Sequence, residues 1–208
     1  MLIVDTSDPG FSCSPIHTVN DGATFMSYYK DVKVPVDMVV GQENGGWGLI
    51  TLQLNHERVG LAAFSGYGET LVEETIAWAR KTEAEDGRPV AEKPWVQSCL
   101  GEAYSRVQAM KVMNWRMAWA MNAGDPSPAL SSAAKVFGTE QLIDIYRLLL
   151  EVLGAPGLVH AKSSGAQLAG EIEHEWRGCQ INTFGGGVNE VQREIIAMMG
   201  LGLPRAPR

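Results

Sequence analysis

Positive charge is scarce in this chain. Seventeen lysines and arginines stand against 24 aspartates and glutamates, a net charge of −7 over 208 residues. Without a clustered basic face, this balance argues against a nucleic-acid partner. Cysteine is scarce as well. Cys13, Cys99 and Cys179 show no metal-type spacing, and their odd number suggests reduced thiols in a cytoplasm. No apolar run reaches the length of a membrane span. No basic region precedes an apolar stretch at the N-terminus, so no secretory leader is expected. Gly-x-Gly-x-x-Gly and Gly-Lys-Ser/Thr are both missing, which removes the Rossmann and P-loop readings. Internal repeats and low-complexity tracts are missing too.

What is there is a 45% hydrophobic composition with mean hydropathy near zero, the mark of a soluble globular chain of one or two domains. Residues 1–40 read as β-rich. Leu2-Ile3-Val4 is a short apolar strand, Asp8-Pro9-Gly10 a turn, and Asn20-Asp21-Gly22 a hairpin-type turn. Phe25 to Val36 is aromatic and β-branched, with Pro35 limiting it to an edge or a strand end. From Gly45 onward the apolar spacing is helical. It predicts one long helix over about 46–81, bent near Gly66 and Gly68, then a charged loop from Lys81 to Lys93. Pro94 opens a second helix that runs to about Asn122 and ends at Gly124. Ser127 caps a third, which begins at Pro128 and closes at Gly154. Two more cover about 168–180 and 189–199. Long helices with short connections imply a mainly α antiparallel bundle, and the six tryptophans and nine methionines read as its core filler.

Three features carry chemistry. Gly185-Gly186-Gly187 opens directly into the last helix. It reads either as a tight turn or as a place where backbone approaches an anionic ligand. Glu57 sits in an otherwise apolar stretch, Leu54-Asn55-His56-Glu57-Arg58-Val59-Gly60-Leu61. A partly buried carboxylate there is a general-base candidate; the alternative is an ion pair. A zinc motif starting at His56-Glu57 fails, because the second histidine it needs is Gly60. Glu171-x-x-His174 matches half of a di-iron bundle signature, which needs a second such pair and two further glutamates. His174 reads more simply as a solvated helix residue.

In order and spacing, these segments resemble the acyl-CoA dehydrogenases, flavoenzymes that oxidise acyl thioesters. Phe25 through Val32-Lys33-Val34-Pro35 and Gly41 to Trp47 resemble the end of that family's middle β-domain and the entry to its helical domain. Leu54 to Ala62 is similar to its Leu-x-x-Glu-Arg-x-x-x-Ala stretch, and Gly87 to Glu92 to the loop between its first two long helices. Ala133-Ala134-Lys135 is similar to the third helix, Glu151 to Gly157 to the Gln-x-Leu-Gly-Gly-x-Gly loop, and Arg177 to Arg205 to the terminus. The fold this implies is a partial β-domain over 1–44 followed by a C-terminal helical bundle over 45–208.

The resemblance also implies roles. Many members carry their catalytic glutamate where this chain has Gly186, and a subset carries it where this chain has Glu57. Glu57 would then be the base of an α,β-dehydrogenation with FAD as hydride acceptor, and Gly186 would leave room for a bulky acyl group, such as a steroid side chain. Asn55, Arg58, Gly185 and Gly186 would meet the acyl-CoA, and Gly87, Gly154, Gly157, Gly187 and Glu190 the FAD. The cross-subunit diphosphate ligands, an Arg and a Gln, are replaced by Glu83 and Glu151; a Phe is replaced by Asp86 and a Thr by Val188. Carboxylates at those places disfavour a diphosphate. This asymmetry resembles heteromeric members in which two different subunits complete each site. An oligomer with a second acyl-CoA dehydrogenase subunit and an electron-transfer partner are therefore expected, with no membrane and no metal. The family's N-terminal helical domain and the first half of its β-domain have no counterpart here, as in a truncated product, a fragment or a subunit that borrows those parts. A non-catalytic interaction subunit, or a truncated remnant, is the alternative.

Overall fold

The computed structural model describes residues 1–60, 63–125 and 127–205, without the side chains at 55, 56, 58–60 and 63–65. Two compact units divide the chain, Met1–His56 and Glu57–Arg208. In the first, β1 (Phe11–His17) and β2 (Ala23–Tyr29) pair antiparallel from Phe11↔Tyr29 to His17↔Ala23. The connecting turn is the one the sequence predicts. Asp21 takes a left-handed φ of 62°, the Thr18 amide donates to the Gly22 carbonyl at 3.0 Å, and the Asn20 side chain accepts from the Gly22 amide. Leu2-Ile3-Val4 does not extend the sheet; it makes an isolated bridge, Leu2↔Val39. The segment opposite explains this, since Pro35 lacks an N–H and Val36–Met38 turn in a short 3-10 helix. Nearly every residue of both strands is exposed, and such a ribbon is marginal by itself.

The helical stretch expected over 46–81 is described over α1 (Gly46–Gly60) and α2 (Ala63–Lys81); what joins them lies outside the described residues. The two units divide within α1, between His56 and Glu57. Gly66 and Gly68 lie inside α2 and mark no break between elements. Gly68 is instead a packing position, where a Cβ would lie 3.3 Å from Leu142 Cδ2 and 3.9 Å from Val107 Cγ2.

Next come α3 (Pro94–Asn122) and α4 (Pro128–Leu153), both with proline in the first turn. Ser127 Oγ accepts from the Leu130 amide at 3.2 Å and caps α4, while Gly154, at φ 66°, ends it. These boundaries match the sequence reading. The last elements are α5 (Glu171–Cys179) and α6 (Asn189–Ile195), which runs on into a π turn at Ile196–Gly200. The core is centred on α4, which packs against α2, α3, α5 and α6. Tyr146, Ile145, Leu149, Leu71, Val96, Val107 and Ile172 are all sealed from solvent.

Two expectations fail here. α5 begins at Glu171 and not near 168, because Leu168 and Ala169 adopt left-handed angles, φ 46° and 55°, ahead of Gly170 at 74°. Close packing holds that bend. A Cβ on Gly170 would sit 2.6 Å from the Ala161 backbone, and Trp78 Nε1 donates to Gln167 Oε1 at 2.8 Å. The tryptophans are also not all core filler. Trp47, Trp95, Trp115 and Trp119 are exposed, Trp119 by 72%. On α3, Tyr104, Val112, Trp115 and Trp119 follow helical spacing on a face that no described element covers.

Glu175 on α5 gives the bundle a pH signature. Burial raises its pKa above the usual 4.5, the nearby Glu171 carboxylate adds to this, and His174 opposes it. The folded state therefore holds the Glu175 proton more tightly than the unfolded chain does. That contribution is full below the unfolded value and fades as pH rises through the raised folded one. Denaturant midpoints measured from pH 4 upward should show a falling limb that Glu175→Gln flattens.

Candidate active site

The glycine loop is built against α4. Thr183 precedes it and Asn189 follows it as the first residue of α6. Gly186 and Gly187 have positive φ, 67° and 101°, a region costly for any residue with a Cβ. A Cβ on Gly187 would lie 2.4 Å from Gln192 Nε2. Behind the loop, α4 offers a row of buried polar side chains. Lys135, 3% exposed, donates from Nζ to the Thr183 carbonyl at 3.0 Å and to Asn189 Oδ1 at 2.6 Å. Asn189 Nδ2 donates to Thr139 Oγ1 and to Glu140 Oε1, both at 3.1 Å. Arg193 closes on Glu140 at 2.6 Å. Ser132 Oγ donates to Gln192 Oε1 at 2.8 Å, and Gln192 Nε2 donates to the Gly186 carbonyl at 3.5 Å. A cavity of about 20 Å³ beside Lys135 and Asn182 has room for a water and no more.

The sequence reading found the glycines and missed their supports. Lys135 entered only as part of a motif, and Ser132, Thr139, Asn189 and Gln192 were not singled out. One signal was available. Ser132, Lys135, Thr139, Leu142, Tyr146, Leu149 and Leu153 share one helical row, and all are buried. Polar residues in the leading half of an apolar row must find partners.

The other predicted site residues are dispersed. Glu57 lies on α1 and is exposed, not partly buried as expected. The side chains of Asn55 and Arg58 lie outside the described residues. Gly185 is exposed, with only the Ile181 carbonyl within 4 Å of a built Cβ, and Glu190 is exposed in the first turn of α6. Gly87, at φ 77°, turns the loop between α2 and α3 with nothing within 4 Å of a built Cβ. Gly157 is a packing glycine, since its Cβ would meet Leu153 Cβ at 2.5 Å.

Gly154 lines a cleft of about 340 Å³ with Arg147, Leu150, Glu151, Leu158 and Trp176. The Glu151 carboxylate is paired with Arg147. Asp86 is paired with Arg88 at 2.9 Å, which holds its carboxyl below the usual carboxylate range. Glu83 is exposed. Where the resemblance puts contacts to a diphosphate, this chain therefore presents two carboxylates, Glu83, which is exposed, and Glu151, which is bound to Arg147. The pairing tempers the repulsion expected from charge alone, but it also engages the nearby cations. The set does not fit an FAD diphosphate.

Elsewhere, the Glu171 half of the supposed di-iron pair accepts from Tyr67 Oη at 2.9 Å. Burial and that carboxylate push the Tyr67 phenol up to about 12. Among the described residues no three His, Cys, Asp or Glu side chains gather as a metal site, and no helix is long and apolar enough to cross a membrane.

Comparison with known proteins gives this arrangement its class. Residues 44–201 match the family model "Acyl-CoA dehydrogenase, C-terminal domain". The whole chain aligns at 46% identity with 52% of acyl-CoA dehydrogenase FadE26 of Mycobacterium tuberculosis, and at 42% with 53% of FadE29 of the same organism. The structure superposes on the Tcur3481-Tcur3483 steroid ACAD with a TM-score of 0.93 at 47% identity, covering 99% of this chain and 52% of that one. For the ChsE4-ChsE5 complex of M. tuberculosis the TM-score is 0.90 at 47% identity, covering 99% and 53%. The chain belongs to the acyl-CoA dehydrogenase family. It spans about half the length of the curated relatives it matches.

The loop geometry gives a direct test. Gly187→Ala forces a Cβ into a left-handed site against the buried Gln192. It should cost about 1–3 kcal/mol, read as a lowered denaturant midpoint at unchanged slope.

Proposed function

We propose that this chain is the base-bearing subunit of a two-subunit acyl-CoA dehydrogenase, with Glu57 as the base. The observation that carries the reading is the loop at 185–187. At the place where many members of the family hold their carboxylate, this chain has a glycine with left-handed φ, whose carbonyl accepts from Gln192 of α6, itself held by Ser132 of α4. Glu57 stands at the family's alternative base position and has the exposure to meet a substrate. In the reaction, its carboxylate takes the α-proton of an acyl-CoA, and the electron pair of that C–H bond forms the new α,β double bond. The departing β-hydride is what a bound FAD accepts. The diphosphate face of this chain does not fit FAD, so the flavin is held mainly by another polypeptide.

Three further details belong to the same reading. The substrate class is a bulky acyl-CoA, supported by the missing side chains at 185–187 and by the steroid ACAD among the solved neighbours. The partner is a second acyl-CoA dehydrogenase subunit, supported by the two-component neighbours and by the uncovered face of α3. Electrons then pass to a separate transfer protein, and the composition favours a cytoplasmic location.

In a flavin-loaded complex with a full-length dehydrogenase subunit, Glu57→Gln should slow flavin reduction by acyl-CoA by about 10²–10⁴-fold, followed by stopped-flow bleaching, with flavin content unchanged. Reduction at the wild-type rate would remove Glu57 from the role.

The isolated chain should bind FAD weakly or not at all in a calorimetric or fluorescence titration. Addition of the partner should restore binding only where that partner also supplies the flavin contacts missing here. Tight stoichiometric binding by the lone chain would show that the diphosphate face had been misjudged. A non-catalytic interaction subunit is the second reading, favoured by the exposed Val112, Trp115 and Trp119 on α3. It predicts a colourless chain and a complex indifferent to Glu57→Gln.

A further inference from the structure

We propose that Lys135 and Gln192 are positioning residues that hold the glycine loop in one shape, and that this shape is the floor on which the acyl group rests. The second half of the statement rests on the functional reading above; the first half does not.

Lys135 Nζ reaches the Thr183 carbonyl just before the loop and Asn189 Oδ1 just after it. One buried ammonium thus ties the two ends of residues 184–188 together. Gln192 holds the middle, at the Gly186 carbonyl, and is itself held by Ser132. Three glycines in a row are otherwise the most adaptable backbone a chain can present. Nothing within the loop can restrict them, because they carry no side chains. The restriction has to come from outside the loop: α4 supplies the charge-assisted hydrogen bond of Lys135, and α6 the buried amide of Gln192. The network is well satisfied, with Asn189 passing on to Thr139 and Glu140, and Glu140 to Arg193. A satisfied buried network fixes a unique geometry more firmly than apolar packing of the same volume.

The test is hydrogen–deuterium exchange on the full chain. Lys135→Met keeps the aliphatic stem and removes the donor. Amides in 184–188 should exchange about 10- to 100-fold faster, the factor expected on losing a hydrogen bond to a charged group. Amides around Ile145, Tyr146 and Leu149 in the core should stay within about twofold, since the loop is local and the core is not. Unchanged loop exchange, or an equal acceleration in the core, would overturn the clamp. Asn189→Ala removes one end of the tie and leaves the Thr183 contact, so it carries the same test should Lys135→Met fail to fold. Combining the two should add little at 188–189, because both act through one contact. In the flavin-loaded complex, Lys135→Met should raise KM for the acyl-CoA about tenfold and leave kcat within about threefold. A loosened loop with KM unchanged would refute the acyl-floor role and leave the clamp standing. Failure of Glu57 as base would touch neither exchange result.

Discussion

α4 has to be covered on nearly every side, and the rest of the bundle follows from that need. Most of its residues are buried, and a narrow charged strip that includes Arg147 and Glu151 is left to water. Leu142, Ile145, Tyr146, Leu148, Leu149, Leu150, Val152 and Leu153 are all buried, and each large side chain contributes about 1.5–3 kcal/mol by leaving water. α2 and α3 cover one part of it, and α5 and α6 cover another. Glycine at 68 lets α2 come close enough to touch Leu142.

The leading half of the same helix is buried as deeply but is polar. Ser131, Ser132, Lys135 and Thr139 lie below 9% exposure. Burying an ammonium without partners costs far more than one apolar contact returns. The segment 183–193 partners Ser132, Lys135 and Thr139, through a backbone carbonyl and the side chains of Asn189 and Gln192. One helix therefore does two jobs along one row. Its apolar end holds the bundle together, and its polar end shapes a loop.

Local signals in the sequence located α3 and α4 to the residue. Pro94, Gly124, Ser127, Pro128 and Gly154 act within one turn of the chain, through a missing N–H, a cap or a positive φ. What the sequence hid is non-local. Whether Trp115 is core or surface depends on whether another element lies over α3, and amphipathic spacing is the same in both cases. The left-handed turn at Leu168 and Ala169 has no turn residue to announce it. It exists because Gly170 lies against Ala161 and Gln167 is bonded to Trp78. At the candidate site, the glycines and Glu57 were legible by type and order. The exposure of Glu57 was not, since the apolar residues around it in the sequence suggested partial burial.

The division between shape and chemistry follows from the backbone. With left-handed φ at 186 and 187, and Gln192 packed beneath 187, a side chain on this loop would strain the turn that Lys135 closes. A loop held this way favours glycine and leaves open space above it. On the proposed reading, the carboxylate base comes from another element. In that proposal the base is Glu57 on α1, and its exposure would leave substrate and partner to supply the dry surroundings in which proton abstraction is effective.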